Sequence, residues 1–173
     1  MHNIQLIVCD VDGVLTAGEI IYDNDGNELK KFNVKDGFGI KAAQLVGIKV
    51  GVITARESDV VHKRVKELGM EDFYHYRVHD KAVAVKKLVE AAGCTMEQTA
   101  FIGDDVIDMP AMKEVGYPIA VGDAVQEVKD LAKLTTEAIG GQGAVREAIE
   151  KILKSQGTWH RVLENFGGIR KPL

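Results

Sequence analysis

"IQLIVCDVDGVLT", residues 4–16, places two carboxylates, Asp10 and Asp12, two positions apart at the end of an apolar run. A short apolar run without polar alternation, closed by a turn signal, predicts a strand buried on both faces, as in a parallel sheet. Further runs at 49–53, 99–102 and 118–121 read the same way, with a weaker one at 73–75. Between them, 37–45, 58–68, 81–91, 109–115 and 124–132 carry helical patterns, and Gly69 and Gly93 stand where helix C-terminal glycines belong. Strand and helix in alternation predict an α/β fold, a doubly wound, Rossmann-like parallel sheet.

One segment breaks the rhythm. "EIIYDNDGNELKKF", residues 19–32, reads as two short strands around an Asp-Gly turn, a β-hairpin flap directly after the first strand. "DNDG" also opens calcium loops, but the helix–loop–helix setting and a glutamate at the twelfth position are missing, so the turn reading is preferred. The length fits one domain over 1–156, followed at 157–173 by a C-terminal helix and a flexible end marked by Gly167-Gly168. In that helix, Trp159 and Phe166 suit docking better than ligand contact. "GGQG" at 140–143 lacks the Lys-Ser/Thr of a phosphate-binding loop and reads as a turn.

The net charge of −4 argues against general nucleic-acid affinity but leaves room for an anionic small substrate. Two distant cysteines, Cys9 and Cys94, suit a reducing compartment better than a disulfide framework. The N-terminus lacks the pattern of a secretory signal, and no apolar run approaches the roughly 18 residues of a membrane span. The expected location is cytoplasmic.

In an open parallel sheet, ligands bind outside the carboxyl ends of the strands. Four such ends carry polar groups: Asp10 and Asp12; Thr54 and Arg56; His79, Asp80 and Lys81; Asp104, Asp105 and Asp108. Each has a bland reading, since Asp before Gly is commonly a turn residue and Asp at a helix start a cap. Together they are harder to explain structurally, because acids converging on one crevice repel each other. A cation relieves that repulsion, and hard oxygen ligands point to magnesium. Lys81 and Thr54 add a charge and a hydroxyl suited to a phosphate.

In that order, "DVDGVLT", "VITAR", the helix-opening Lys81 and "GDDVID" resemble the four motifs of the haloacid dehalogenase superfamily. The resemblance implies a magnesium-dependent phosphatase. Asp10 would be the nucleophile, forming an aspartyl-phosphate, and Asp12 the general acid and base. Mg2+ would bind the Asp10 carboxylate, the Asp12 backbone carbonyl and Asp104, with Asp105 and Asp108 as ligands or anchors behind them. Thr54 and Lys81 would bind the phosphoryl oxygens. A regulatory module that keeps the fold without catalysis is the rival reading; the presence of every residue the chemistry needs argues against it.

Residues 13–53 are used up by a hairpin and one helix, and 82–103 by a helix and a strand, so neither gap houses a cap domain. A capless site is open to water and must borrow walls or act on a large substrate. "DVDGVLTAGEIIYDNDGNELKKFNVKDGFGIK" and "GGQGAVREAIEKIL" are similar to the capless sugar-acid phosphatases of the superfamily. That similarity implies a phosphorylated 2-keto-3-deoxy sugar acid as substrate, an octulosonate 8-phosphate first, with nonulosonate 9-phosphates or a broad range of sugar phosphates as the alternative. It further implies a role in lipopolysaccharide synthesis and a homotetramer built through the hairpins. Carried over, Asn33, Arg56, Arg64, Lys81 and Thr54 would bind the substrate; without the resemblance, Arg64 reads as an exposed helix residue. Two positions depart from the pattern: Ala55 stands where the family has Gly, and "YHYRVHDK" replaces a "QG" segment before Lys81.

Overall fold

The computed structural model describes residues 3–168. β1 (Leu6–Cys9) is buried along its whole length and lies at the centre of the main sheet. It pairs in parallel with β4 (Lys49–Ile53) on one side and β6 (Thr99–Gly103) on the other. β5 (Tyr74–His75) extends the first side, and β7 (Tyr117–Ala120) and β8 (Leu134–Thr135) the second. The order β5-β4-β1-β6-β7-β8, counted within this sheet alone, is the doubly wound 3-2-1-4-5-6. The winding reverses between β1 and β6, and a sheet of this kind opens its binding crevice there. Asp10 and Asp104 follow those two strands.

The fold class and strands expected from the apolar runs are all present. β8 was not foreseen: two residues in a polar setting, "KLTTEA", give no periodic signal. Among the helices, α2 (Asp59–Leu68), α3 (Lys81–Ala92) and α4 (Met109–Glu114) match their expected spans closely. Gly69 and Gly93 close α2 and α3 in the left-handed conformation. α1 (Val34–Leu45) starts three residues before the expected 37, because the Asn33 side chain accepts from Lys35 N at 2.9 Å and caps it there. α5 (Gln126–Leu131) is shorter than expected, and α6 (Ala144–Ser155) and α7 (Trp159–Phe166) are the last helices of the described residues.

The hairpin is a small sheet of its own, β2 (Ile21–Tyr22) against β3 (Glu28–Leu29). Asp23 commits its carboxylate to the turn, accepting from Asp25 N (2.9 Å), Asn27 N (2.8 Å) and Asn27 Nδ2 (2.7 Å). That is the geometry of an Asp-led turn. α7 lies on the body of the chain: Phe166 meets the Phe38 ring edge-on at 5.1 Å, and Arg146 stacks between the Phe38 and Trp159 rings. The expected flexible end falls mostly in residues 169–173, outside those described. Among the described residues, no helix is long and apolar enough to cross a membrane.

Candidate active site

β1 delivers Asp10 into the crevice as a buried side chain. α3 delivers Lys81: the Asp80 carboxylate accepts from Ala82 N (2.9 Å) and Val83 N (3.1 Å), so the helix begins at Lys81 and turns it inward. Lys81 is itself buried and bridges two acids, Asp10 Oδ1 at 2.8 Å and Asp108 Oδ1 at 2.6 Å. Asp108 accepts from the backbone nitrogen of Asp104 at 3.0 Å through its other oxygen, which fixes the loop after β6. Carboxylate oxygens of Asp10, Asp104 and Asp108 lie within 4.8 Å of one another.

Two glycines permit this convergence. Gly13, at φ +92°, has its α-carbon against Asp104, and a Cβ there would lie 2.0 Å from Asp104 Oδ2. Gly140 lies so close behind the same loop that a Cβ would fall 1.8 Å from the Gly13 carbonyl oxygen. The 140–143 stretch is thus a turn, as expected, and also a brace for the Asp10–Gly13 loop; Gly141 N donates to Val14 O at 2.9 Å.

Fully ionised, three carboxylates against one ammonium would leave two negative charges uncompensated, and that repulsion favours protonation of the acids. Burial, then the charge of Asp108, pushes the Asp10 carboxyl up to about 7, although Lys81 pulls the other way. Burial and the charges of Asp108 and Asp10 push Asp104 up to about 8. For Lys81, burial alone would lower the ammonium's proton affinity, but Asp10 and Asp108 outweigh it and raise it. A hard-oxygen donor set with excess negative charge fits a divalent cation such as Mg2+. Cys9, directly before Asp10, is fully buried and its thiol is pushed up by burial, so it offers no thiolate.

Thr54 follows β4, the strand paired with β1, and is held there by the backbone. Its N–H donates to His75 O at 2.9 Å, and its carbonyl accepts from Val78 N at 3.1 Å. Its hydroxyl oxygen accepts from Arg56 N at 3.2 Å. Arg56 reaches the hairpin, pairing with Glu28 at 3.2 Å and donating to Tyr22 Oη at 3.3 Å. Asp12 turns to the hairpin as well, forming an ion pair with Lys30.

Three further expected site residues lie outside the cluster. Asp105 is exposed and caps the turn at Val106–Asp108, accepting from Val106 N at 2.7 Å. Asn33 caps α1 and reaches Gly141 O at 3.4 Å. Arg64 lies over the Phe32 ring, 5.7 Å from its centroid, and pairs with Glu67 at 3.3 Å. Among the described residues, neither Asn33 nor Arg64 makes a hydrogen bond or ion pair with the acids. Sequence reading missed Lys30, although the alternation Glu28-Leu29-Lys30 signals that the two charges share one face of β3 and its continuation.

Comparison with known proteins agrees with this geometry. Residues 75–149 match the family of haloacid dehalogenase-like hydrolases. The chain is 41% identical over 157 residues to the 3-deoxy-D-manno-octulosonate 8-phosphate phosphatase of Haemophilus influenzae, covering 91% of this chain and 87% of that one. It is 42% identical over 156 residues to the Escherichia coli K12 phosphatase of the same name, covering 90% and 82%. Among solved structures, the Moraxella catarrhalis 3-deoxy-D-manno-octulosonate 8-phosphate phosphatase, in complex with magnesium, phosphate and KDO, superposes with a TM-score of 0.91. Its identity is 38%, over 95% of this chain and 94% of that one. Likeness of this extent, over a chain whose acids and lysine converge at the sheet's point of reversal, means that the chain belongs to the haloacid dehalogenase-like hydrolases, in the family of the 3-deoxy-D-manno-octulosonate 8-phosphate phosphatases.

Proposed function

We propose that this chain hydrolyses the phosphate monoester of a 2-keto-3-deoxy sugar acid, 3-deoxy-D-manno-octulosonate 8-phosphate, to the free sugar acid and phosphate. The observation that carries the reading is the buried Asp10–Lys81–Asp108 bridge with Asp104 beside it. A structural salt bridge needs one acid per lysine; a site built to receive a dianionic phosphoryl group and its counter-ion needs this surplus.

Asp10 attacks phosphorus with a carboxylate oxygen, forming an acyl phosphate as the bond to the sugar oxygen breaks. Asp12 gives that departing oxygen a proton. In the second step Asp12 takes a proton from water as it attacks phosphorus, and the bond to Asp10 breaks. Lys81 holds Asp10 in line and offers charge to the phosphoryl oxygens, and Thr54 offers its hydroxyl. Asp10, Asp104 and the backbone of Asp12 would hold Mg2+, with Asp108 anchoring the loop that carries Asp104. The ion, when bound, supplies charge neutralisation and orientation for the phosphoryl group. Arg56 is the cation nearest Thr54 in the chain and suits the substrate's carboxylate through its planar fork; Asn33 and Arg64 would line the approach to it.

The hairpin's exposed Ile20, Ile21, Tyr22 and Leu29 support assembly into a homotetramer through that flap. The composition, with two free cysteines, supports a cytoplasmic setting.

The test is phosphate release from octulosonate 8-phosphate, nonulosonate 9-phosphates and hexose phosphates, with and without Mg2+. Magnesium-dependent preference for the octulosonate is expected. Tyr76 and Arg77, in the segment that clamps Thr54, give the nonulosonate 9-phosphates their place in the panel. A preference for them would keep the chemistry and change the substrate, and no release from any would overturn the reading.

A further inference from the structure

Residues 75–78 clamp Thr54 from both sides, since His75 O accepts from Thr54 N and Val78 N donates to Thr54 O. The two residues between, Tyr76 and Arg77, stand out beyond β5, the edge strand of the main sheet. Bringing the chain back so sharply puts Arg77 at φ +54°, in the left-handed region, where a β-carbon is unfavourable. A second cost lies next to it. The Tyr74 hydroxyl oxygen is buried and, among the described residues, has no hydrogen-bond partner. Backbone strain of this kind collects where a protein needs a particular shape for its function. What this shape presents is Tyr76. Its ring is 42% exposed yet fixed in place, meeting the His62 ring edge-on at 4.7 Å and the Tyr74 ring at 5.3 Å. Arg77 secures the turn from outside through its ion pair with Glu57. A cover for the edge strand would lie against it as the half-buried Tyr74 does, and would need no left-handed residue.

We propose that Tyr76 is a specificity-determining residue: its ring is the wall against which the sugar part of the phosphate ester packs, and it selects esters that carry a sugar ring over short ones. A flat, apolar and rigid ring suits the C–H face of a sugar, and a ring already fixed by its neighbours loses little freedom on binding. Arg77 is a positioning residue, whose turn sets the ring beside Thr54. The contact is made away from the bond that breaks, so it is equally strong in the ground state and the transition state. It therefore lowers KM and leaves kcat alone. The role deepens the proposed function and rests on the reading of the chain as a sugar-acid phosphatase.

The experiment measures kcat and KM, with Mg2+ present, on octulosonate 8-phosphate and on β-glycerophosphate, an alkyl phosphate with no sugar ring. Tyr76→Ala is expected to raise KM for the octulosonate by about tenfold, the size of one good aromatic contact. Its kcat on that ester, and both constants on β-glycerophosphate, should stay within about twofold of the native values. Tyr76→Phe keeps the ring and is expected to behave as the native chain. Were it to lose as much as Tyr76→Ala, the ring would not be the contact and the proposal would fall. Arg77→Gly keeps the left-handed turn accessible but no longer secures it, and is expected to raise KM for the octulosonate alone by about threefold. No change on either ester would overturn the part given to Arg77. A native chain that prefers the octulosonate, with equal losses or none on the two esters in Tyr76→Ala, would overturn the role of Tyr76 alone. A native chain with no preference for the octulosonate over β-glycerophosphate would overturn the proposed substrate, and this role with it. Should Tyr76→Ala not fold, as judged by circular dichroism, the result for Arg77→Gly decides, and the absence of a split there overturns the proposal.

Discussion

Gly13 shows how closely backbone and chemistry are tied at the level of single residues. Its φ of +92° and the 2.0 Å approach of a would-be Cβ to Asp104 Oδ2 leave no place for a side chain. Gly13→Ala should therefore displace the Asp10–Asp12 loop or Asp104. The expected result is loss of phosphate release by about 100-fold or more, with a stability cost of about 1–3 kcal/mol, read from activity and from denaturant melts. Asp10→Asn should abolish release outright, by at least about 10³-fold, because an amide cannot form the acyl phosphate. The acids and Lys81 were legible in the sequence because each follows a strand or opens a helix at one edge of the sheet. Lys30 and Gly140 were not, since their partners, Asp12 and Gly13, lie far away in the chain and only the folded loop brings them together. In "GDDVID" Asp104 and Asp105 look equivalent, and only the folded turn at Val106–Asp108 distinguishes them, with Asp104 at the crevice and Asp105 as the cap.

At the scale of elements, α6 illustrates a site supported from behind. Its N-cap, Gly143, has no side chain to satisfy the first-turn N–H groups. The buried Asp36 of α1 does so instead, accepting from Arg146 N at 2.8 Å, and burial pushes its carboxyl above the ordinary carboxylate value despite those bonds. This cap fixes the start of α6 and with it the 140–143 turn that braces Gly13. Asp36→Ala should cost about 1–2 kcal/mol, or roughly 2–8 °C in melting temperature for a domain of this size, checked by thermal melts. Activity should fall with it, because the 140–143 turn braces the nucleophile loop. The strands and most helices could be read in advance, because periodicity and cap residues are local signals. This cap could not, because donor and acceptor belong to different helices, and β8 could not, because two residues carry no period.

For the whole molecule, the surplus of negative charge at the crevice and the apolar surface of the flap are both liabilities in an isolated chain. A divalent ion answers the first. Binding only to the folded state, Mg2+ at a hundredfold excess over its Kd should add about 2.7 kcal/mol, a rise of roughly 5–10 °C in differential scanning calorimetry. Asp104→Asn should remove most of that rise. Further copies of the chain would answer the second. Ile20, Ile21 and Leu29 are 60%, 43% and 52% exposed on a hairpin with only two paired positions, an element too small to be stable without cover. Light scattering at micromolar concentration should give a mass near four times 18.9 kDa for the native chain. The double variant Ile20→Asp, Ile21→Asp should fall to the monomer mass, with its main sheet intact by circular dichroism. A monomeric native chain would overturn the assembly reading.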